Sequence, residues 1–259
     1  GAVYQQRESG AIYHLYAGRT IPAFAYREMC NYYLNYDFSI VPTLLLCLYG
    51  IIGTFVNERE TQMDMLLLVS PGGGRKTTLA KILAATLFLL LTSLWFSLLD
   101  LIGFAASFQT FEGLALPVFA IPNFAEASVN LSIFQYVLLS AALKCAGAWV
   151  IGMLWLLVSM FWKNALLPFV IDFALCMALT VSGAACAYSN FFWTKVLNPY
   201  SLLTNRVLLG KTEFVNLGGF PVLTWQAAAW FALIAGLAAA AMIYFLSAEN
   251  CHRCVRRAK

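Results

Sequence analysis

The run Ile82-Leu-Ala-Ala-Thr-Leu-Phe-Leu-Leu-Leu-Thr-Ser-Leu-Trp-Phe-Ser-Leu-Leu99 contains no charged residue. A helix rises about 1.5 Å per residue and a bilayer's hydrocarbon core is about 30 Å thick, so about 20 mostly apolar residues suffice to cross it. Extended through Lys81 on one side and Asp100 on the other, the run predicts one long helix over 79–108. Four further stretches read the same way. Residues 40–56 and 220–248 are free of charge, 131–162 is interrupted only by Lys144, and 165–187 only by Asp172. The alanine-rich end of the last stretch lets helices approach closely. The expected fold is all-α, a polytopic membrane helical bundle with five transmembrane helices.

Composition points the same way. Of 259 residues, 61% are hydrophobic and 11% charged, and the mean hydropathy is +0.76. Soluble globular chains carry about 25% charged residues. The net charge of +4 is modest and the basic residues are scattered, which speaks against a nucleic-acid partner. Cys47, Cys145, Cys176 and Cys186 lie in apolar runs, where cysteine behaves as a small hydrophobe. Cys251-His-Arg-Cys254 supplies half of a structural zinc site, and no second cluster completes the four ligands. Lipidation is the other chemistry open to Cys251 and Cys254.

Short cytoplasmic segments are enriched in lysine and arginine. Placing 57–81, the turn at 163–164 and the tail 249–259 in the cytoplasm gives that side nine basic residues, Arg59, Arg75, Lys76, Lys81, Lys163, Arg253, Arg256, Arg257 and Lys259. The other side holds six over far more chain: Arg7, Arg19, Arg27, Lys195, Arg206 and Lys211. Residues 1–39, polar and rich in tyrosine, are then external. Residues 109–130 are too apolar for a free loop and are expected at the membrane interface. Residues 188–219, with Asn198-Pro-Tyr200 and Leu217-Gly-Gly219, are expected to form short helices dipping into the bilayer, where irregular backbone must be buried in protein or line a wet cavity. The first residues carry no secretory leader pattern and no initiator methionine, so the natural protein is expected to begin before Gly1.

Ser70-Pro-Gly-Gly-Gly-Arg-Lys-Thr-Thr78 imitates a phosphate-binding loop. That loop reads G-x-x-x-x-G-K-[ST], because backbone N–H groups wrap the phosphates while the lysine reaches the terminal ones. Aligned on Lys76-Thr77, the two glycine positions are filled by Ser70 and Arg75, so the pattern fails and the segment needs another role. Upstream, Glu58-Arg-Glu-Thr61 opens a stretch that turns from charged to apolar. Met63, Leu66, Leu67 and Ser70 share one helical face, while Glu60, Asp64 and the arginines face water. A short amphipathic helix over 57–71 is expected, stopped at Pro71 and followed by a hinge at Gly72, Gly73 and Gly74. Thr77 or Thr78 is expected to cap the next helix, and Arg75, Lys76 and Lys81 to anchor it on lipid phosphates.

A spanning helix, then Glu58-Arg-Glu-Thr61, Met63-Asp-Met-Leu-Leu-Leu-Val-Ser-Pro71, basic residues and Leu79-Ala-Lys-Ile82 resembles the permease subunit of ABC type-2, exporter-type transporters. Leu197-Asn-Pro-Tyr-Ser-Leu-Leu203 is similar to the external segment before that family's last span, and the likeness covers nearly all of 40–248 in span order. The resemblance implies six spans in the full-length protein, the first lying before Gly1, with both termini cytoplasmic. It implies that the helix bearing Glu58, Arg59, Glu60, Thr61, Asp64, Leu66, Leu67, Ser70 and Pro71 docks into a separate ABC ATPase subunit. ATP and magnesium would be held there, with no cofactor bound directly by this chain. A second permease subunit, identical or different, would complete the exporter in the lipid of the cell membrane.

Charges within spans cost about 2.5–3.5 kcal/mol each on insertion scales and need partners or water. Asp100 and Lys144 both fall near the outer leaflet by helix rise, where an ion pair between them, snorkelling to the interface, or contact with cargo are the alternatives. Asp172 lies about 13 Å beyond Lys163, nearer the midplane, and either bonds to another helix or lines a polar route. An intramembrane enzyme would need a constellation of reactive groups within the spans. The only histidines, His14 and His252, lie outside them. A non-catalytic exporter subunit is therefore the leading expectation, with a non-transporting membrane sensor or scaffold as the alternative.

Overall fold

A computed structural model of the chain describes residues 2–21, 28–63, 75–111, 113–162, 164–187 and 192–257. Among them are ten α-helices and one hairpin, in the order α1 (Ala2–Tyr16), α2 (Glu28–Leu34), α3 (Ile40–Glu60), α4 (Arg75–Phe108), α5 (Ile133–Ser159), α6 (Leu166–Ala187), α7 (Phe192–Leu197), α8 (Tyr200–Thr204), α9 (Arg206–Leu209), β1 (Phe214–Leu217), β2 (Phe220–Leu223) and α10 (Thr224–Arg257). Helices α3, α4, α5, α6 and α10 are long and apolar enough to cross a membrane. They alternate in direction between a hairpin end, which carries α1, α2 and the strands, and a turn end, where α5 passes into α6. Leu83, Leu87, Leu91, Leu94 and Leu98 of α4 recur every three or four residues and are 49–61% exposed. A continuous apolar stripe of this extent is at home against lipid. Helix α6 turns Leu166, Phe169, Val170, Met177 and Val181 outward in the same way.

Helix α5 is the hub and packs against α3, α4, α6, α8 and α10. Its Met153, Trp155 and Leu156 are fully buried in a cluster with Leu48 and Ile51 of α3, Leu89 of α4 and Ile243 of α10. A second cluster fills the hairpin end, where Val118, Ile121 and Phe124 meet Ile133, Tyr136, Leu202 and Leu209. Within 109–130, expected at the membrane interface, Leu116, Val118, Ile121, Phe124 and Val129 therefore face protein, whereas Phe111 is exposed. Two 3-10 turns, Val118–Ala120 and Pro122–Phe124, fold this connection back. Val118 N donates to Leu131 O at 3.0 Å, and Ile133 N to Leu116 O at 2.8 Å. Ser132 then starts α5 with a capping box: its Oγ accepts from Gln135 N, and Gln135 Oε1 accepts from Ser132 N. Two orphan donors of the first turn are thereby satisfied.

The fifth span begins later than the expected 220. Phe214–Leu217 and Phe220–Leu223 pair antiparallel around Gly218 and Gly219, both at positive φ. A two-residue turn of that hand matches the strand twist and favours glycine at both positions. Thr224 ends the hairpin and opens α10, with its N–H and hydroxyl both donating to Glu213 O. Lys195 Nζ bonds both oxygens of Glu213 at 2.9 Å. Helix α1 lies along this hairpin, with Arg7 Nη1 donating to Gly219 O at 3.2 Å. Arg19 donates to Asn130 Oδ1, Ala125 O and Ala127 O, and stacks on Tyr16 and Phe119.

Helices α7 to α9 re-enter the bundle. Pro199 O and the side chains of Leu202 and Leu203 come against Gly147, which lies about 21 Å along α5 from Ile133 by helix rise. A Cβ there would be tight against all three, so these neighbours would have to give by a few tenths of an ångström. Asn198 Nδ2 donates to Leu179 O and Ser182 Oγ of α6, and Asn198 Oδ1 accepts from Tyr200 N. Such irregular backbone is tolerated at depth because protein, not lipid, surrounds it.

Candidate functional site

Three polar features stand out against the apolar bundle, and the first is the turn end of α3. The helix runs on to Glu60, beyond the expected end at 56, and stops where Gln62 takes a left-handed conformation at φ 56°. Glu58, Arg59 and Glu60 thus form the last turn of a span and do not start a separate docking helix. Each reaches a different neighbour. Glu58 pairs with Lys81 of α4, whose Nζ also lies 4.3 Å over the Phe55 ring. Arg59 Nη1 donates to Trp162 O, just past the end of α5, at 3.0 Å. Glu60 Oε1 accepts from Ala165 N at 2.9 Å, at the start of α6. A cation at a helix C-terminus and a carboxylate at an N-terminus both complement the helix dipole. This explains the local fold: the charged triplet continues the helix because its side chains find waiting partners.

Lys81 is accordingly turned inward and is not a lipid anchor, whereas Arg75 and Lys76 are exposed on the first turn of α4. Thr77 and Thr78 lie inside that helix and do not cap it; the Thr78 hydroxyl meets Ser247 Oγ of α10 at 2.5 Å. Thr61 follows α3 and bonds back to Asn57 O. Asp64, Leu66, Leu67, Ser70, Pro71, Gly72, Gly73 and Gly74 lie outside the described residues. Glu60→Ala is expected to lower stability by about 1 kcal/mol through loss of the bond at the head of α6. Glu60→Gln, which keeps an acceptor, should retain most of it. Paired thermal melts in detergent check this, and equal losses in both variants would contradict it.

The second feature is a polar cavity at the hairpin end. It is lined by Tyr33, Tyr36 and Asp37, by Asp100 of α4, by Tyr136, Ser140 and Lys144 of α5, and by Thr204, Asn205 and Arg206. Asp100 and Lys144 are brought into one cavity, but the direct ion pair, one of the three alternatives for them, is not formed. The ion pairs among the described residues are Glu58–Lys81, Lys195–Glu213 and Asp37–Arg206. Lys144 is instead shared between the charges of Asp100 and Asp37, Asp100 also bonds Ser39, and Asp37 also pairs with Arg206. Arg206 Nη2 lies 3.4 Å from Asp37 Oδ2, and Arg206 Nη1 donates to Asn35 O. Burial raises the Asp37 carboxyl above its ordinary value, although Arg206 and Lys144 pull it down. Burial, with a smaller contribution from the Asp100 charge, pushes the Tyr33 phenol up to about 12. Asn205 is buried at φ 49°, ψ −40°, and its Nδ2 donates to both Ser140 O and Ser140 Oγ while its Oδ1 has no partner. Sequence reasoning missed Asp37, Asn205 and Arg206, because their meeting depends on the re-entrant turn.

The third feature is Asp172 on α6. It is fully buried, and neither carboxylate oxygen has a hydrogen-bond partner. Trp155 Nε1 on α5 is likewise buried and unpartnered. Asp172 stands about 9 Å from the start of α6 and Trp155 about 6 Å from the end of α5, so the two occupy similar heights in that hairpin. Of the two alternatives for Asp172, the bond to another helix is not made. Among the described residues no group of three His, Cys, Asp or Glu side chains is placed to hold a metal ion.

Comparison with protein-family models and with curated proteins finds no match. The five apolar spans define the class, a multi-pass helical membrane protein.

Proposed function

We propose that the chain is the membrane-spanning permease subunit of an ATP-driven exporter of the ABC type-2 kind. Energy would come from a separate ATPase subunit holding ATP and magnesium, and a second permease subunit would complete the route. The turn end is cytoplasmic in this reading, and α10 ends there. The observation that carries it is the last turn of α3. Glu58, Arg59 and Glu60 tie the point at which residues 61–74 depart to α4, to the end of α5 and to the head of α6. A push on that connection reaches four spans at once, which is what an external motor requires. Asp172, unpartnered within the bundle, supports a polar route between spans.

Affinity purification of the tagged chain from its native membrane tests the proposal. An ABC ATPase recovered in stoichiometric amount, with ATPase activity that falls on reversing Glu58 and Glu60 together with their link to α4 and α6, is the expected result. Recovery without any ATPase favours a membrane sensor or scaffold and overturns the exporter reading.

A further inference from the structure

The geometry points to the polar cavity at the hairpin end being a closed gate, latched by the Asp37–Arg206 pair and by the grip of Asn205 on Ser140. This deepens the transport reading and rests on it for what passes when the gate opens. The cavity has a volume of about 20 Å³. That is room for about one water molecule, so no organic solute enters it in this state.

Its walls are nevertheless built for more than packing. Two carboxylates, Asp37 and Asp100, and two cations, Lys144 and Arg206, arrive from four separate pieces of chain: the segment before α3, α4, α5 and the α8–α9 turn. Only one of the possible pairs closes directly, and it is the outermost. The Arg206 side chain is 46% exposed and that of Asp37 29%, so solvent reaches this pair while Asn205 beneath it is buried.

Asn205 carries the strain. A non-glycine residue at positive φ is held only where its surroundings over-determine it, and such residues cluster at clamps and switches. Here the restraints are the two bonds to Ser140 of α5 and the packing of α8 at Gly147. Swinging Arg206 away from Asp37 frees the α8–α9 turn on its outer side and leaves the strained residue to relax. The chamber of Asp100 and Lys144 then opens to water. The buried, unpartnered Asn205 Oδ1 and Asp100 Oδ2 are satisfied by solvent in that state, which lowers the cost of opening.

Thiol accessibility tests this without ATP or a partner subunit. Thr204→Cys places a reporter in the cavity wall, and a permanently charged methanethiosulfonate is applied from the hairpin side of sealed vesicles. Labelling of T204C alone should be slow, and labelling of T204C combined with R206A or with D37N should be faster by about two- to fivefold, the loss expected for a half-exposed ion pair. R206A without the reporter cysteine should remain at the background of the native cysteines, which shows that the fold is intact. Equal rates with and without the Asp37–Arg206 pair, or fast labelling of T204C alone, would overturn the gate. Neither result touches the exporter reading, which stands or falls on recovery of an ATPase.

Discussion

Asp172→Leu is expected to raise the melting temperature of the detergent-solubilised protein. The wild-type carboxylate is fully buried and has no partner for either oxygen. A buried carboxyl with no hydrogen-bond partner carries a desolvation penalty of about 1–3 kcal/mol that an apolar side chain of similar volume does not. For a chain of this size that is a shift of several degrees, at about 2–4 °C per kcal/mol. Asp172→Asn should gain much less, since the amide still brings polar atoms that need bonds. If the exporter reading holds, Asp172→Leu should also depress ATP-driven transport while protein levels rise. That combination separates a functional carboxylate from a structural one. A lower melting temperature in Asp172→Leu would mean that Asp172 holds the bundle together.

Gly147→Val should do the opposite. A Cβ at this position would stand 3.0 Å from Pro199 O, 3.1 Å from Leu202 Cβ and 3.3 Å from Leu203 Cγ. One of these is backbone and another a Cβ, so neither can swing aside and α8 must move as a unit. Overpacking of this kind costs about 1–3 kcal/mol. Gly147→Ala should fall at the low end and Gly147→Val at or beyond the high end. The damage should be local first. Hydrogen exchange at 198–209 should accelerate more than exchange in α4, because the re-entrant helices lose their seat while the outer spans keep theirs. Uniform acceleration across all five spans would contradict this account.

The five spans were legible because apolar length is a property of each segment alone. Ile82–Leu99 needs no neighbour to be read as a membrane helix. What was not legible was anything decided by a distant partner. Glu58, Arg59 and Glu60 read as the start of a surface helix, since a charged triplet after an apolar run ordinarily meets water. Their partners Lys81, Trp162 and Ala165 lie 23, 103 and 105 positions away. Likewise Asp100 and Lys144 were placed at similar depth by helix rise, but rise says nothing of Asp37 and Arg206 joining them. Gly218-Gly219 between Phe214-Val-Asn-Leu and Phe220-Pro-Val-Leu is a hairpin signal in its own right. It was obscured by the apolar run that follows.

The central position of α5 sets an order of assembly. It is the third of the five spans to be synthesised, yet helices made later cover much of its surface. When α5 enters the membrane α3 and α4 are already made, whereas α6 and α10 are not. The bond from Trp149 Nε1 to Thr86 Oγ1 of α4, at 3.2 Å, is available at once. The other side of the same ring waits for Gly236 of α10. Until then lipid must stand in for α10, and Lys144 waits for Arg206 and its turn to complete the chamber. Maturation therefore finishes from the C-terminal end, with the last span acting as the keystone that displaces lipid from the hub.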